Sequence, residues 1–162
     1  MKLFKTLLTI LFISLLSSPS WSVTIDDLVK REGIYYKKFT AVPFNGKLIG
    51  GIQGSFKNGK REGAWVWYHS NGQVMSKLFL KNGLAQGTGV RYYSNGQLHN
   101  KVNYKDDKEE GAWVSYWDNG QLESKGNWNK GKKEGAWITY KYNGTVHKEF
   151  TGTFKNGRKI SD

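Results

Sequence analysis

One spacing constrains this chain more than any other: an Asn-Gly or Ser-Asn-Gly element returns every 24 residues. Its glycine falls at Gly72, Gly96, Gly120 and Gly144. A second glycine keeps the period at Gly63, Gly87, Gly111 and Gly135, and a third turn sits at Gly59, Gly83, Asp107 and Gly131. Tyrosine stands four residues before each Asn-Gly glycine, at Tyr68, Tyr92, Tyr116 and Tyr140. Val66, Val90, Val114 and Ile138 precede these by two. Such self-similarity means that one small unit repeats, each copy burying surface against its neighbours.

The unit reads as two strands. Trp65-Val66-Trp67-Tyr68 is aromatic and β-branched, bounded by Asn-Gly and Lys-rich turns. From Gly33 onward no two successive glycines stand more than 15 residues apart, which excludes long helices. Asn and Gly tolerate the left-handed backbone of tight hairpins. The expected fold is all-β: an elongated antiparallel meander of about ten strands, built from tandem hairpin repeats. The expected organisation is a leader over 1–22, a lead-in over 23–44 with Ile34-Tyr35-Tyr36 as a strand, the array over 45–157, and a tail over 158–162.

The ends of the array depart in a matched way. Phe44-Asn45-Gly46 leads to Phe56-Lys57-Asn58-Gly59, and Tyr142-Asn143-Gly144 leads to Phe154-Lys155-Asn156-Gly157. Each gap exceeds that of Gly72 to Gly83 by two residues, which preserves alternation in a strand.

The leader has the parts of a signal peptide. Lys2 and Lys5 form a positive start, Leu7 to Leu16 is apolar, and Ser20 and Ser22 suit a cleavage site before Val23. Export to a periplasm or to the medium is the expected localisation. The chain has no cysteine, which excludes disulfides, thiol nucleophiles and thiolate metal ligands. Residues 23–162 carry ten more basic than acidic side chains, which favours anionic partners. Export disfavours nucleic acid among them.

Register decides what each face displays. A two-residue Asn-Gly turn pairs Tyr68 with Met75 and Trp65 with Leu78, whereas a three-residue turn at Ser70-Asn71-Gly72 pairs Tyr68 with Val74, and the repeat pattern favours the second. That register gathers Val66, Tyr68, Val74, Leu78 and Leu80 on one face and Trp65, Trp67, Gln73, Met75 and Lys77 on the other. Trp65 then lies opposite Lys77, and Trp113 opposite Lys125. The candidate partner-binding face is Trp65, Trp67, Tyr93, Trp113, Trp117 and Trp137 with Lys77, Lys101 and Lys125, an aromatic and basic surface suited to cation–π contacts. The same pairs have a structural reading: lysine stems cover tryptophan and blunt the sheet against aggregation. Gly89 interrupts the tryptophan series.

Catalytic and cofactor readings fail on chemistry. Gly54 to Arg61 nearly matches a phosphate-binding loop, but Arg61 stands where the Mg²⁺-binding hydroxyl belongs and no helix follows. His99 and His147 share a repeat position two units apart, on the order of 19 Å at sheet spacing, too far for one ion. No Gly-x-Ser-x-Gly elbow occurs. The expectation is a protein that is not an enzyme, with no cofactor and no metal site. The turn rim alternates in charge: residues 57–62 and 130–134 sum to +2, residues 105–110 to −2.

The stretches from Phe56 to Trp65 and from Trp128 to Trp137 resemble MORN (membrane occupation and recognition nexus) repeats. More closely, they resemble the bacterial MORN-variant repeats of the YwqK-family antitoxin group. The resemblance spans roughly residues 28–157. It implies an elongated antiparallel sheet, a non-enzymatic role in protein–protein interaction, and a protein partner that in a toxin–antitoxin system is a toxin. The leader moves such a role to the envelope. The alternative is a surface-binding module for anionic lipid or acidic glycan.

Overall fold

A computed structural model describes residues 22–162. The expected leader, apart from Ser22, lies outside the described residues. Thirteen strands follow one another: β1 (Leu28–Arg31), β2 (Ile34–Lys37), β3 (Gly46–Leu48), β4 (Ile52–Lys57), β5 (Lys60–Tyr68), β6 (Val74–Lys81) and β7 (Leu84–Tyr92), then β8 (Leu98–Lys105), β9 (Lys108–Tyr116), β10 (Leu122–Asn129), β11 (Lys132–Thr139), β12 (Gly152–Lys155) and β13 (Arg158–Ser161). β3 to β13 form one 11-stranded antiparallel sheet in which sequence neighbours are spatial neighbours. The meander expected from the repeat is therefore present. β1 and β2 make a separate hairpin.

Two turn types alternate along the two edges of the sheet. At Asn58-Gly59, Asn82-Gly83, Lys130-Gly131 and Asn156-Gly157 both central residues have positive φ, the type I′ geometry that suits strand twist. Asp106-Asp107 does the same without glycine. There the Asp107 carboxylate accepts the Ala85 N–H at 2.6 Å, tying the turn to the preceding unit. The other edge carries the three-residue turn expected at Ser70-Asn71-Gly72. The His69 N–H donates to Gln73 O at 2.8 Å, the Gly72 N–H donates to His69 O at 2.9 Å, and Gly72 has φ +83°. Asn71 Oδ1 accepts from the Gln73 N–H, and Asn95 and Asn119 repeat the contact. Units are also stitched to one another: Asn71 Nδ2 donates to Ser94 O, and Asn95 Nδ2 to Asp118 O.

The pairing Tyr68–Val74 is as expected, but the face assignment beyond it is corrected. Met75 is a bulge, so the ladder resumes as Trp67–Ser76, Val66–Lys77 and Trp65–Leu78. One extra residue in a period-two strand exchanges the faces. The same skip recurs at His99 and Glu123. A second bulge sits at each periodic glycine: Gln53 pairs with Val66, yet Ser55 pairs with Glu62, and Gly63 between has φ +78°.

The ends also differ from the expectation. Gly46 opens β3 and the hairpin turn is at residues 49–51, so Asn45-Gly46 is no hairpin. Asn45 Oδ1 instead accepts the Asn58 N–H at 2.7 Å. At the other end the extra length is taken up by a 3₁₀ turn, Lys148–Phe150, rather than by strand. Facing is kept even so, because Phe56 and Phe154 are both buried. Most of the expected tail is β13, paired with β12.

The lead-in folds onto the array. Leu28 joins Leu48, Phe56, Trp65, Leu80 and Ala85 in one core, with Val23, Ile25, Tyr35 and Phe44 packed against it. The expected strand at Ile34-Tyr35-Tyr36 lies within β2. Tyr35 N–H donates to Gly59 O, Phe44 N–H to Tyr35 O, and Gly59 N–H to Phe44 O, each at 2.8 Å.

Candidate functional site

The bulges sort the side chains into two unlike faces. The first is aromatic. Reading across the strands it carries Gly54, Trp65, Leu78, Gly89, Val102, Trp113, Gly126, Trp137 and Gly152. Large and small residues alternate, and the glycines are seats. A Cβ on Gly54 would overlap the Trp65 indole, and one on Gly126 the Trp137 indole. Beside this row lies a second, Ile52, Trp67, Ser76, Arg91, Asn100, Ser115, Ser124 and Thr139. In it Ser115 and Ser124 share a hydrogen bond at 2.7 Å, and the Trp113 indole donates to Ser124 Oγ at 2.9 Å.

The second face alternates β-branched residues with lysine. Val66, Lys77, Val90, Lys101, Val114, Lys125 and Ile138 are successive ladder partners. The three lysines are exposed while Val66, Val90, Val114 and Ile138 are half-buried. Lysines on every second strand stand roughly 10 Å apart. Among the described residues the one ion pair is Lys159–Asp162, so none of the three is neutralised by a carboxylate. Over β9 to β12 the same face dips into a groove of about 720 Å³, lined by Ala112, Val114, Ala136 and Ile138, with Lys125, Thr153 and Asp162 also on its wall.

The expected partner-binding set is therefore divided. Lys77, Lys101 and Lys125 share a face with valine, not with tryptophan. Trp65 and Trp137 are buried on the other face, and Trp67 and Trp113 are half-buried there. Tyr93 and Trp117 lie at the turn edge. The Tyr93 hydroxyl donates to Tyr116 O at 2.9 Å, and Trp117 meets Tyr142 edge-on at 5.7 Å. Burial, and then the Glu123 and Asp118 carboxylates, push the Tyr93 phenol up. The cation–π pairs expected between Trp65 and Lys77 and between Trp113 and Lys125 do not form, because the Met75 and Glu123 bulges turn those lysines away.

The cations that do meet tryptophan were not singled out by the sequence. Arg61 lies 4.8 Å from the Trp65 ring centroid, and Lys133 lies 4.5 Å from that of Trp137. Burial lowers the Lys133 ammonium below its ordinary value. Arg61 and Lys133 occupy one repeat position, as do Trp65 and Trp137, and that coincidence was the available signal. Gly89, visible as the gap in the tryptophan series, opens a cavity of about 280 Å³ on the aromatic face. Among the described residues no cluster of His, Asp or Glu has the grouping of a metal site.

No curated protein matches the chain. The family model described as the MORN repeat variant matches it three times in succession, over residues 61–82, 85–106 and 109–130. Each match runs from the second residue of an outgoing strand, through its partner strand, into the next turn: three consecutive MORN-variant repeats form the centre of the sheet.

Proposed function

We propose that this protein is a non-catalytic binding module that holds a protein partner against its lysine–valine face, in the bacterial envelope. The observation that carries the reading is the row Val66, Lys77, Val90, Lys101, Val114, Lys125 and Ile138. MORN repeats are in general protein- or membrane-binding modules, and three of them build this face. Three unneutralised cations on a β-branched ground ask for a partner with carboxylates on an otherwise apolar surface. Charge then sets register and on-rate, while valine and the groove beside Lys125 supply the dry contact. In an antitoxin- or immunity-like protein, that partner is an acidic toxin surface. The leader supports action outside the cytoplasm.

A second reading is favoured by the charge alone. The ten surplus basic groups of residues 23–162 and the regularly spaced lysines also suit anionic lipid headgroups or acidic glycan. The deciding experiment is affinity capture from envelope and secreted fractions of the host, comparing wild type with Lys77→Glu/Lys101→Glu/Lys125→Glu at low and high salt. One stoichiometric protein, retained at high salt by the wild type and lost by the triple variant, is the expected result. Recovery of lipid or glycan alone, released by salt, would give the face to the second reading. A stoichiometric protein captured equally by both forms would place the interface elsewhere on the molecule.

A further inference from the structure

The second unit lacks the tryptophan that Trp65, Trp113 and Trp137 supply in the others, and Gly89 stands in its place. The cavity above it is walled by Trp67, Leu78, Val102 and Tyr104, and Ser76, Lys77, Arg91 and Asn100 are the polar residues that line it. A side chain at position 89 would intrude: a Cβ there would lie 2.8 Å from Tyr104 Cε2 and 3.1 Å from Leu78 Cδ1. Glycine leaves the floor open.

The polar groups give the cavity a chemistry. Asn100 is 7% exposed. Ser115 and Ser124, beyond it in the same row, are occupied by each other and by Trp113. The Asn100 carboxamide lines the cavity and still reaches its open space, where it can donate to or accept from a ligand. Arg91, its ladder partner on β7, is exposed and has no carboxylate in ion-pair range among the described residues. A guanidinium at the mouth matches the planar fork of a carboxylate.

We propose that this cavity binds a small aromatic carboxylate. The ring lies between Trp67, Leu78, Val102 and Tyr104, its polar edge pairs with the Asn100 amide, and the carboxylate meets Arg91. The volume suits one ring or a fused pair and falls just below the range of drug-sized ligand sites.

The probe is indole-3-propionate, titrated calorimetrically into the full-length protein. Saturable one-to-one binding is expected. Asn100→Leu should weaken it about tenfold, the worth of one buried hydrogen bond. Arg91→Gln should weaken the carboxylate by a similar factor while leaving the neutral indole-3-propionamide unchanged, which a merely structural role would not do. Ser76→Phe, which fills the cavity from its wall, should abolish binding. Arg91 is exposed, so its variant keeps the test valid even if a buried substitution unfolds the chain. Absence of saturable binding by the wild type at millimolar probe would overturn the proposal. So would an Arg91→Gln protein that binds both probes as the wild type does.

Discussion

The first and fourth units build the same aromatic clamp from different residues. In each, a tryptophan lies over a glycine seat, Trp65 over Gly54 and Trp137 over Gly126. Each meets an aromatic ring edge-on, Phe56 at 5.0 Å and Trp128 at 5.1 Å. Each has a cation on the ring face, Arg61 or Lys133. The surroundings differ. Trp65 is fully buried beneath the lead-in, and among the described residues its indole N–H has no acceptor. Trp137 lies under neighbours from its own end of the sheet, and its indole donates to Asn127 O at 3.0 Å. The first clamp is dry and joined to the main core, whereas the fourth satisfies its polar atom locally. The repeat specifies the seat and the ring, and the ends decide how it is covered.

The largest test is deletion of the rings. Trp65→Ala should cost about 3–5 kcal/mol, as full burial of a large side chain implies. Trp137→Ala should cost less, since it is covered by fewer elements. Urea midpoints at equal m-values read both. Equal losses would break the distinction between a dry and a local clamp.

The seats give a smaller effect with a diagnostic sign. Gly54 and Gly126 do not have positive φ, so alanine ordinarily stabilises such strand positions by about 0.5–1 kcal/mol. Here the added methyl group enters the indole, and a loss of about 1–3 kcal/mol is expected instead. Gly89→Ala meets the edge of the half-buried Tyr104 ring, which has cavity beside it to yield into, and should cost under about 1 kcal/mol. Thermal or urea unfolding of the three variants ranks them. A stabilised Gly54→Ala would show that the seat is not tight.

Turns and meander were legible in the sequence because positive φ selects residue type, so Asn58-Gly59 and Gly72 announce themselves. The faces were not, because the bulge falls on Met75, His99 and Glu123, which share no chemistry. A bulge with no residue signature shifts every side chain beyond it, so plain alternation sets Lys77 opposite Trp65 where the ladder sets it opposite Val66. The Gly63 series was visible as a period, yet nothing in the spacing marks it as a second bulge. Arg61 and Lys133 were read as turn charges because the path from turn to ring crosses that bulge. The cavity was half legible: Gly89 was seen as a gap, while Asn100 gained meaning only when its row was known.

The smallest effect separates the clamps by their cations. Lys133 titrates, and burial between Trp137 and Phe154 lowers its pKa from 10.5. In the window between the lowered value and 10.5 the unfolded chain holds the proton more tightly than the folded one. Stability from this group therefore rises with pH across the window, is fully present above 10.5, and is lost as pH falls through the folded pKa. Lys133→Arg keeps the cation and removes the titration. The difference in urea midpoint between wild type and Lys133→Arg should drift in favour of the wild type as pH climbs toward 10.5, with the other titrating groups cancelling. Drift in the opposite direction would mean that attraction to the two ring faces outweighs desolvation at this ammonium. The fourth clamp would then be held by its charge rather than in spite of it.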